Sequence, residues 1–298
     1  MRVRLRRIRR AFENGVVALD GIELDVAPGE FLAILGPSGC GKSTLLRLIA
    51  GLDKPQDGSV SVSADPLAAD AQEREKSTTR DTGVPPVLDA HGLEDRPNAE
   101  RPHRESAPAS RTTVRALGHR ADIAYVFQDA HLLPWRNVLD NVALPLELMH
   151  VRGRERSEAS RRAVEQVGLT DAISRYPNQL SGGMRMRVSL ARAMVTEPRL
   201  LLLDEPFAAL DEITRQRLDE QLRRLWTDRG MTVVFVTHST TEAVFLAGRA
   251  IVMSKRPGRI IENHAIALPT DRLAEIRGTP AFAREMRVLY DALERGGA

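Results

Sequence analysis

Residues 36–44 read Gly-Pro-Ser-Gly-Cys-Gly-Lys-Ser-Thr, and they lie between a short apolar run at residues 31–35 and a helix-forming stretch at residues 45–50. A glycine-rich turn that joins a buried strand to a helix aims successive backbone N–H groups at one point, with the positive helix end behind them. Such a turn cradles phosphate. Gly36, Ser38, Gly39, Cys40, Gly41 and Thr44 form the loop, Lys42 is placed to reach the β and γ phosphates, and the Ser43 hydroxyl is placed to ligate Mg2+. Cys40 is read as filler in this loop, not as a nucleophile.

The chain carries a second set of groups suited to phosphate chemistry. Four leucines at residues 200–203 run directly into Asp204 and Glu205. Both carboxylates therefore stand at the carboxyl end of a buried strand, the edge at which open parallel sheets bind ligands. Asp204 suits a role in holding Mg2+ through its outer shell, and Glu205 one in orienting and deprotonating an attacking water. Paired carboxylates at such a place are otherwise helix caps, but here they share a chain with a phosphate cradle. His238 follows the apolar run 233–236 and is suited to donate to a γ-phosphate oxygen; Gln128 ends another strand-like run, 122–127, and is suited to contact Mg2+ or the water. Alone, either residue would be read as structural. Ser181-Gly182-Gly183 opens an amphipathic helix over residues 181–195, so its N–H groups and hydroxyl make a second anion site. Either one nucleotide bridges both sites within a subunit, or two copies face each other and each completes the other's site.

The rest of the chain sets the frame. With 298 residues, 42% of them hydrophobic, there is enough apolar material for one large core or a core with a satellite. Lys and Arg number 43 against 40 Asp and Glu, a net charge of +3, too balanced to argue for nucleic acid. The basic excess is local: Arg4, Arg6, Arg7, Arg9 and Arg10 interleave with Val3, Leu5 and Ile8, which predicts a solvated edge strand. A single cysteine rules out an internal disulfide framework and suits a reducing compartment. No secretory leader and no run of about 18 apolar residues is found, so partners are needed for any membrane crossing.

Strands are expected at residues 2–11, 16–26, 31–35 and 59–63, then at 122–127. Helices are expected at 137–150, 154–167 and 181–195, giving a mostly helical region over about 132–197. An alternating β and α pattern runs from 200 to 252 and implies a parallel sheet with right-handed crossovers. Residues 258–298 add one or two strands and a closing helix. The stretch 64–120 mixes Pro66, Pro85, Pro86, Pro97, Pro102 and Pro108 with charges and is expected to be a disordered insertion in a surface connection.

In order and spacing these residues resemble the ATP-binding-cassette ATPase family: residues 36–44 as Walker A, Gln128 as the Q-loop, Leu180-Ser181-Gly182-Gly183-Met184 as the signature, Asp204 and Glu205 in Walker B, residues 208–211 as the D-loop, and His238 as the switch histidine. The resemblance implies an α/β, P-loop NTPase cassette with a mainly parallel sheet core, an antiparallel β subdomain and a helical signature subdomain. It implies ATP and Mg2+ as cofactors, with the D-loop Asp211 among the nucleotide-binding candidates, and a head-to-tail dimer, of two copies or of this chain with a near twin, in which Ser181, Gly182 and Gly183 of one subunit close over the nucleotide of the other. Phe12 is then placed to stack on adenine. Leu133-Pro134-Trp135 after the Q-loop, Met184, and the Val252-Met253-Ser254 and Arg256-Pro257-Gly258-Arg259-Ile260 stretches resemble the nitrate, sulfonate and taurine class of bacterial importers. That class implies integral-membrane permease subunits, an extracytoplasmic solute-binding protein reached through them, and a peripheral position on the cytoplasmic face of the cell membrane. Met184 stands where the family has glutamine, Ala208 where serine is common and Ser239 where aspartate is frequent. None of these removes a phosphate, metal or water contact, so hydrolysis is still expected. Competing readings are a soluble cassette acting on nucleic acid or ribosomes, an exporter ATPase, and a regulatory subunit without turnover.

Overall fold

The computed structural model describes residues 1–64, 122–208 and 210–297. The expected insertion at 64–120 lies almost entirely outside the described residues.

The described residues form two sheets. The larger has six strands in the order β5-β6-β7-β3-β8-β9, where β3 is Phe31–Leu35, β5 Ile123–Val126, β6 Leu200–Asp204, β7 Thr232–Val236, β8 Arg249–Met253 and β9 Ile260–Ala265. All neighbours run parallel except β8 and β9. Strands β3, β6 and β7 are buried along their whole length, as their unbroken apolar runs require when both faces are covered. The two-residue period of a strand divides their side chains between two cores. Phe31, Ala33, Leu35, Leu201, Leu203, Val233 and Phe235 face most of the helices, whereas Leu32, Ile34, Leu200, Leu202, Val234 and Val236 face the smaller sheet and the first helix.

The smaller sheet is antiparallel and has the order β2-β1-β4, with β1 Arg2–Ala11, β2 Val17–Val26 and β4 Asp57–Ser63. This corrects the edge expected for the arginine-rich strand: β1 is the central strand, not an edge. Its Val3, Leu5 and Ile8 are fully buried against the large sheet. The intervening arginines meet carboxylates on neighbouring segments, Arg2 and Arg4 at Asp25 (2.8 and 3.1 Å) and Arg10 at Asp53 (2.9 Å). A charged outer face is thus compatible with a central place when acids flank it.

The α-helices of the described residues are α1 Lys42–Ile49, α2 Val138–Leu148, α3 Gly153–Gln166, α4 Gly182–Met194, α5 Glu212–Arg229, α6 Thr240–Leu246 and α7 Pro280–Gly297. Three of them, α2, α3 and α4, pack on one another between β5 and β6. Asn137 caps α2 by accepting from Asp140 N at 2.8 Å. Within α2 the buried Asn141 side chain binds the preceding loop from both ends, accepting from Leu133 N (2.8 Å) and donating to the carbonyls of Leu133, Arg136 and Asn137. That clamp leaves Trp135 at the surface, 72% exposed. At the end of α6 Arg272 donates to the carbonyls of Val244, Phe245 and Ala247, and Arg223 to those of Leu246 and Thr270. The end of α6 is therefore closed by two buried guanidinium groups rather than by a glycine. Burial lowers both, to about 10. No helix among the described residues is long and apolar enough to cross a membrane.

Candidate functional site

The loop between β3 and α1 curls tightly because Gly41, the residue preceding α1, adopts φ 107°. A Cβ there would also lie 2.7 Å from Leu19 and 2.9 Å from the Ala18 carbonyl, so a side chain is excluded on two counts. No side chain caps α1. Its first N–H groups consequently point into a cavity of ≈ 400 Å3 at the carboxyl edge of the parallel strands. Phe12, Ser38, Gly39, Gly41, Lys42, Ser43, Thr44, Gln128, Glu205 and His238 all line this cavity. Ten of the residues expected at the site thus converge, although they come from five separate stretches of the chain.

Lys42 is 4% exposed. Its ammonium donates to the carbonyls of Gly36 (2.8 Å) and Pro37 (3.0 Å) and lies 3.9 Å from Glu205 Oε1. Burial lowers its pKa, with the carboxylates of Glu205 and Asp204 acting in the opposite sense. Gly36 thus contributes a carbonyl to the base of the loop. Cys40 turns its thiol into the core, away from the cavity, and burial raises the thiol pKa. It packs, as a filler should.

Glu205 takes a left-handed backbone conformation, φ 48°. For a non-glycine residue this costs on the order of 1 kcal/mol, and such conformations cluster at working sites. The turn delivers its carboxylate to three neighbours: His238 Nε2 lies 2.6 Å from Oε1, Lys42 lies on the same oxygen, and Gln128 Nε2 donates to Oε2 at 3.4 Å. Asp204 lies deeper, 5% exposed, and accepts from Ser43 Oγ at 2.9 Å and from the Tyr125 hydroxyl at 3.1 Å. Ser43 and Gln128 line the cradle with Asp204 behind Ser43, an oxygen donor set of the type that suits Mg2+.

Sequence reasoning missed two residues. Tyr125 orients Asp204, and burial together with that carboxylate raises its phenol pKa. Arg256 lines the cavity and donates through Nε and Nη2 to the Gly39 carbonyl at 3.1 and 2.9 Å. Beside it Gly258 presses on the cradle so closely that a Cβ would lie 2.1 Å from the Cys40 carbonyl. A tyrosine near a strand end reads as core, and Arg256 is 217 residues from its partner; neither carries a local signal.

The second helix tip is elsewhere. Ser181 caps α4 by accepting from Met184 N at 3.2 Å. Gly182 lines a different cavity, of ≈ 500 Å3, together with Gln128, Ala130, Arg185, Met186 and Glu205. Asp211 caps α5, accepting from Thr214 N at 2.9 Å, and that bond lowers its pKa. Ser181, Gly182, Gly183 and Asp211 do not enter the cradle cavity of their own chain.

The sequence profile of the ABC transporter family matches residues 19–208. The chain belongs to this family. Among curated relatives, this cassette is 39% identical to an uncharacterized ABC transporter ATP-binding protein of Methanocaldococcus jannaschii over 91% of its own length and 85% of the relative's. It is 41% identical to the aliphatic sulfonates import ATP-binding protein SsuB of Ralstonia nicotianae, over 93% of this chain and 77% of that one. It is also 41% identical to the taurine import ATP-binding protein TauB of Chromobacterium violaceum, over 83% and 76%. Among solved structures it is similar to the ATP-binding cassette MJ0796, described as dimeric in a post-hydrolysis state with ADP and Pi, at TM-score 0.66 and 29% identity over 90% of this chain and all of that one. The ABC ATPase assignment and its P-loop cassette fold are thereby fixed.

Proposed function

We propose that two copies of this cassette close on two ATP molecules, hydrolyse them, and pass the motion to membrane-spanning permease subunits of an importer for small sulfonates, taurine, nitrate or similar solutes. The observation that carries this reading is the convergence of the ten residues on one cavity with Glu205 at its centre. In that cavity the N–H groups of the loop and Lys42 would hold the β and γ phosphates, and Phe12, 40% exposed, would meet the adenine. Ser43 and Gln128 would hold Mg2+, with Asp204 fixing the Ser43 hydroxyl. Mg2+ would neutralise charge on the phosphate oxygens.

Glu205 would then accept the proton of the attacking water, and His238, which contacts a Glu205 carboxylate oxygen, would hold it in place and donate to a γ-phosphate oxygen. The Ser181 tip lies outside the cavity of its own chain, which supports completion of each site by the partner's signature helix. In this reading the chain is one cassette, with a helical subdomain at about 132–197 and a C-terminal extension at 258–298. The exposed Trp135, Leu148, Met149 and Tyr176 lie on or beside α2 and offer an apolar surface to a cytoplasmic helix of the permease. An extracytoplasmic solute-binding protein would engage through the permease, and the cassette would sit peripherally on the cytoplasmic face of the membrane. The importer reading is supported by the relatives named for sulfonate and taurine import.

Replacing Glu205 with Gln keeps the shape of the site and removes the base. Phosphate release from Mg-ATP should fall at least about 100-fold, while size-exclusion chromatography shows a dimer that accumulates with ATP. Near-normal turnover in that variant would overturn the assignment of the base.

A further inference from the structure

Behind the cavity lies a buried group that the nucleotide site does not explain. Glu242, on α6, is 4% exposed, and each of its carboxylate oxygens has its own partner. The Thr237 hydroxyl donates to Oε2, and Arg215 Nε lies 3.3 Å from Oε1. Thr237 immediately precedes His238, is 3% exposed, and its hydroxyl oxygen also accepts from Ser239 N at 2.9 Å. The hydroxyl thus bridges the residues on both sides of His238. Ser239 in turn caps α6, its hydroxyl accepting from Glu242 N at 3.2 Å. The backbone turn that carries His238 is consequently bound into a closed ring of Thr237, Ser239 and Glu242.

The other oxygen leads in a different direction. Arg215, on α5, donates through Nη2 to the Leu210 carbonyl at 2.9 Å and through Nη1 to Glu212 at 3.0 Å. Leu210 precedes Asp211, the end of the segment that follows Glu205. One guanidinium therefore hydrogen-bonds the backbone beside Asp211 and lies in ion-pair range of the Glu242 carboxylate, its buried Nε making no hydrogen bond to the described residues. Burial raises the Glu242 pKa, while Thr237 and Arg215 act to lower it. A buried carboxylate divided between a hydroxyl and a guanidinium is retained at the cost of desolvating both charges, and its benefit lies in fixed geometry.

We propose that Glu242 is a positioning residue for hydrolysis: through Thr237 it fixes the turn that sets His238 against Glu205, and through Arg215 it ties that turn to the Leu210–Asp211 segment, so that the two move as one unit. This rests on the catalytic reading of His238 given above. A displacement of the partner contact at Asp211 would then be felt at His238 within the same chain.

Thr237→Val keeps shape and volume but removes the hydroxyl, and Thr237→Ser restores it. With turnover normalised to the Mg-ATP binding stoichiometry of each preparation, Thr237→Val should lower kcat at least fivefold and leave the KM for ATP within twofold. Thr237→Ser should return kcat to within twofold of the parent. His238→Ala, measured alongside, separates the two readings. If it retains turnover, the catalytic reading of His238 fails; if it loses turnover while Thr237→Val keeps full kcat, the positioning role alone is overturned. The tie is read from Arg215→Met combined with Thr237→Val: the double variant should be no slower than the slower single one. Multiplicative losses would overturn the tie.

Discussion

The tips of α1 and α4 both open a helix at glycines able to approach phosphate, yet the fold gives them opposite treatment. Gly41 precedes α1 with no side-chain cap, and its N–H groups are enclosed with Lys42, Ser43, Gln128, Glu205 and His238. Ser181 precedes α4 with its hydroxyl already accepting from Met184 N, and the cavity at that tip shares Gln128 and Glu205 with the first but holds Arg185 in place of the lysine and histidine. An uncapped tip leaves its N–H groups to water or a ligand, whereas a self-capped tip satisfies one of them itself. On the reading proposed above, the difference separates a tip that binds in its own chain from one that completes the site of another.

Substitutions sharpen or break that contrast in graded steps. Lys42→Ala strikes the enclosed tip, and ATP affinity of the single subunit, measured by calorimetry, should fall at least about 100-fold, or about 2.7 kcal/mol. An unchanged affinity would remove the distinction. Ser181→Arg strikes the waiting tip: placed in the Glu205→Gln background, it should leave subunit affinity for ATP within twofold and abolish the nucleotide-dependent dimer on a sizing column. A loss of subunit affinity instead would mean that both tips serve one site. Ser181→Ala is the mildest test. It removes the cap alone, and should lower stability to urea by about 1 kcal/mol; no change would show that α4 does not depend on its own serine.

The enclosed tip was legible in the sequence because all its signals are local. The apolar run at residues 31–35, the glycines and the helix after them fall at their expected places, and β3 matches that run residue for residue. Asp204, Glu205 and His238 were equally legible, since strands ending in polar residues in an alternating β and α pattern must place them on one edge. What could not be read depends on distant partners. The arginines of β1 read as an edge because nothing local shows that Asp25 and Asp53 flank them. Arg256 on Gly39 and Tyr125 on Asp204 likewise arise only when the sheet is assembled. The Ser181 hydroxyl is expected at an anion; it also caps its own helix, accepting from Met184 N, which leaves its O–H free to donate.

The hold of Lys42 on Gly36 and Pro37 has a consequence for how quickly and tightly ATP is taken up. Because the ammonium stitches the hoop from within, its curvature is a property of the folded chain and does not have to be created by the incoming polyphosphate. Association then requires an exchange of hydrogen-bond partners at one flexible stem rather than the ordering of nine backbone units, so the loop's own share of the conformational entropy is given up during folding.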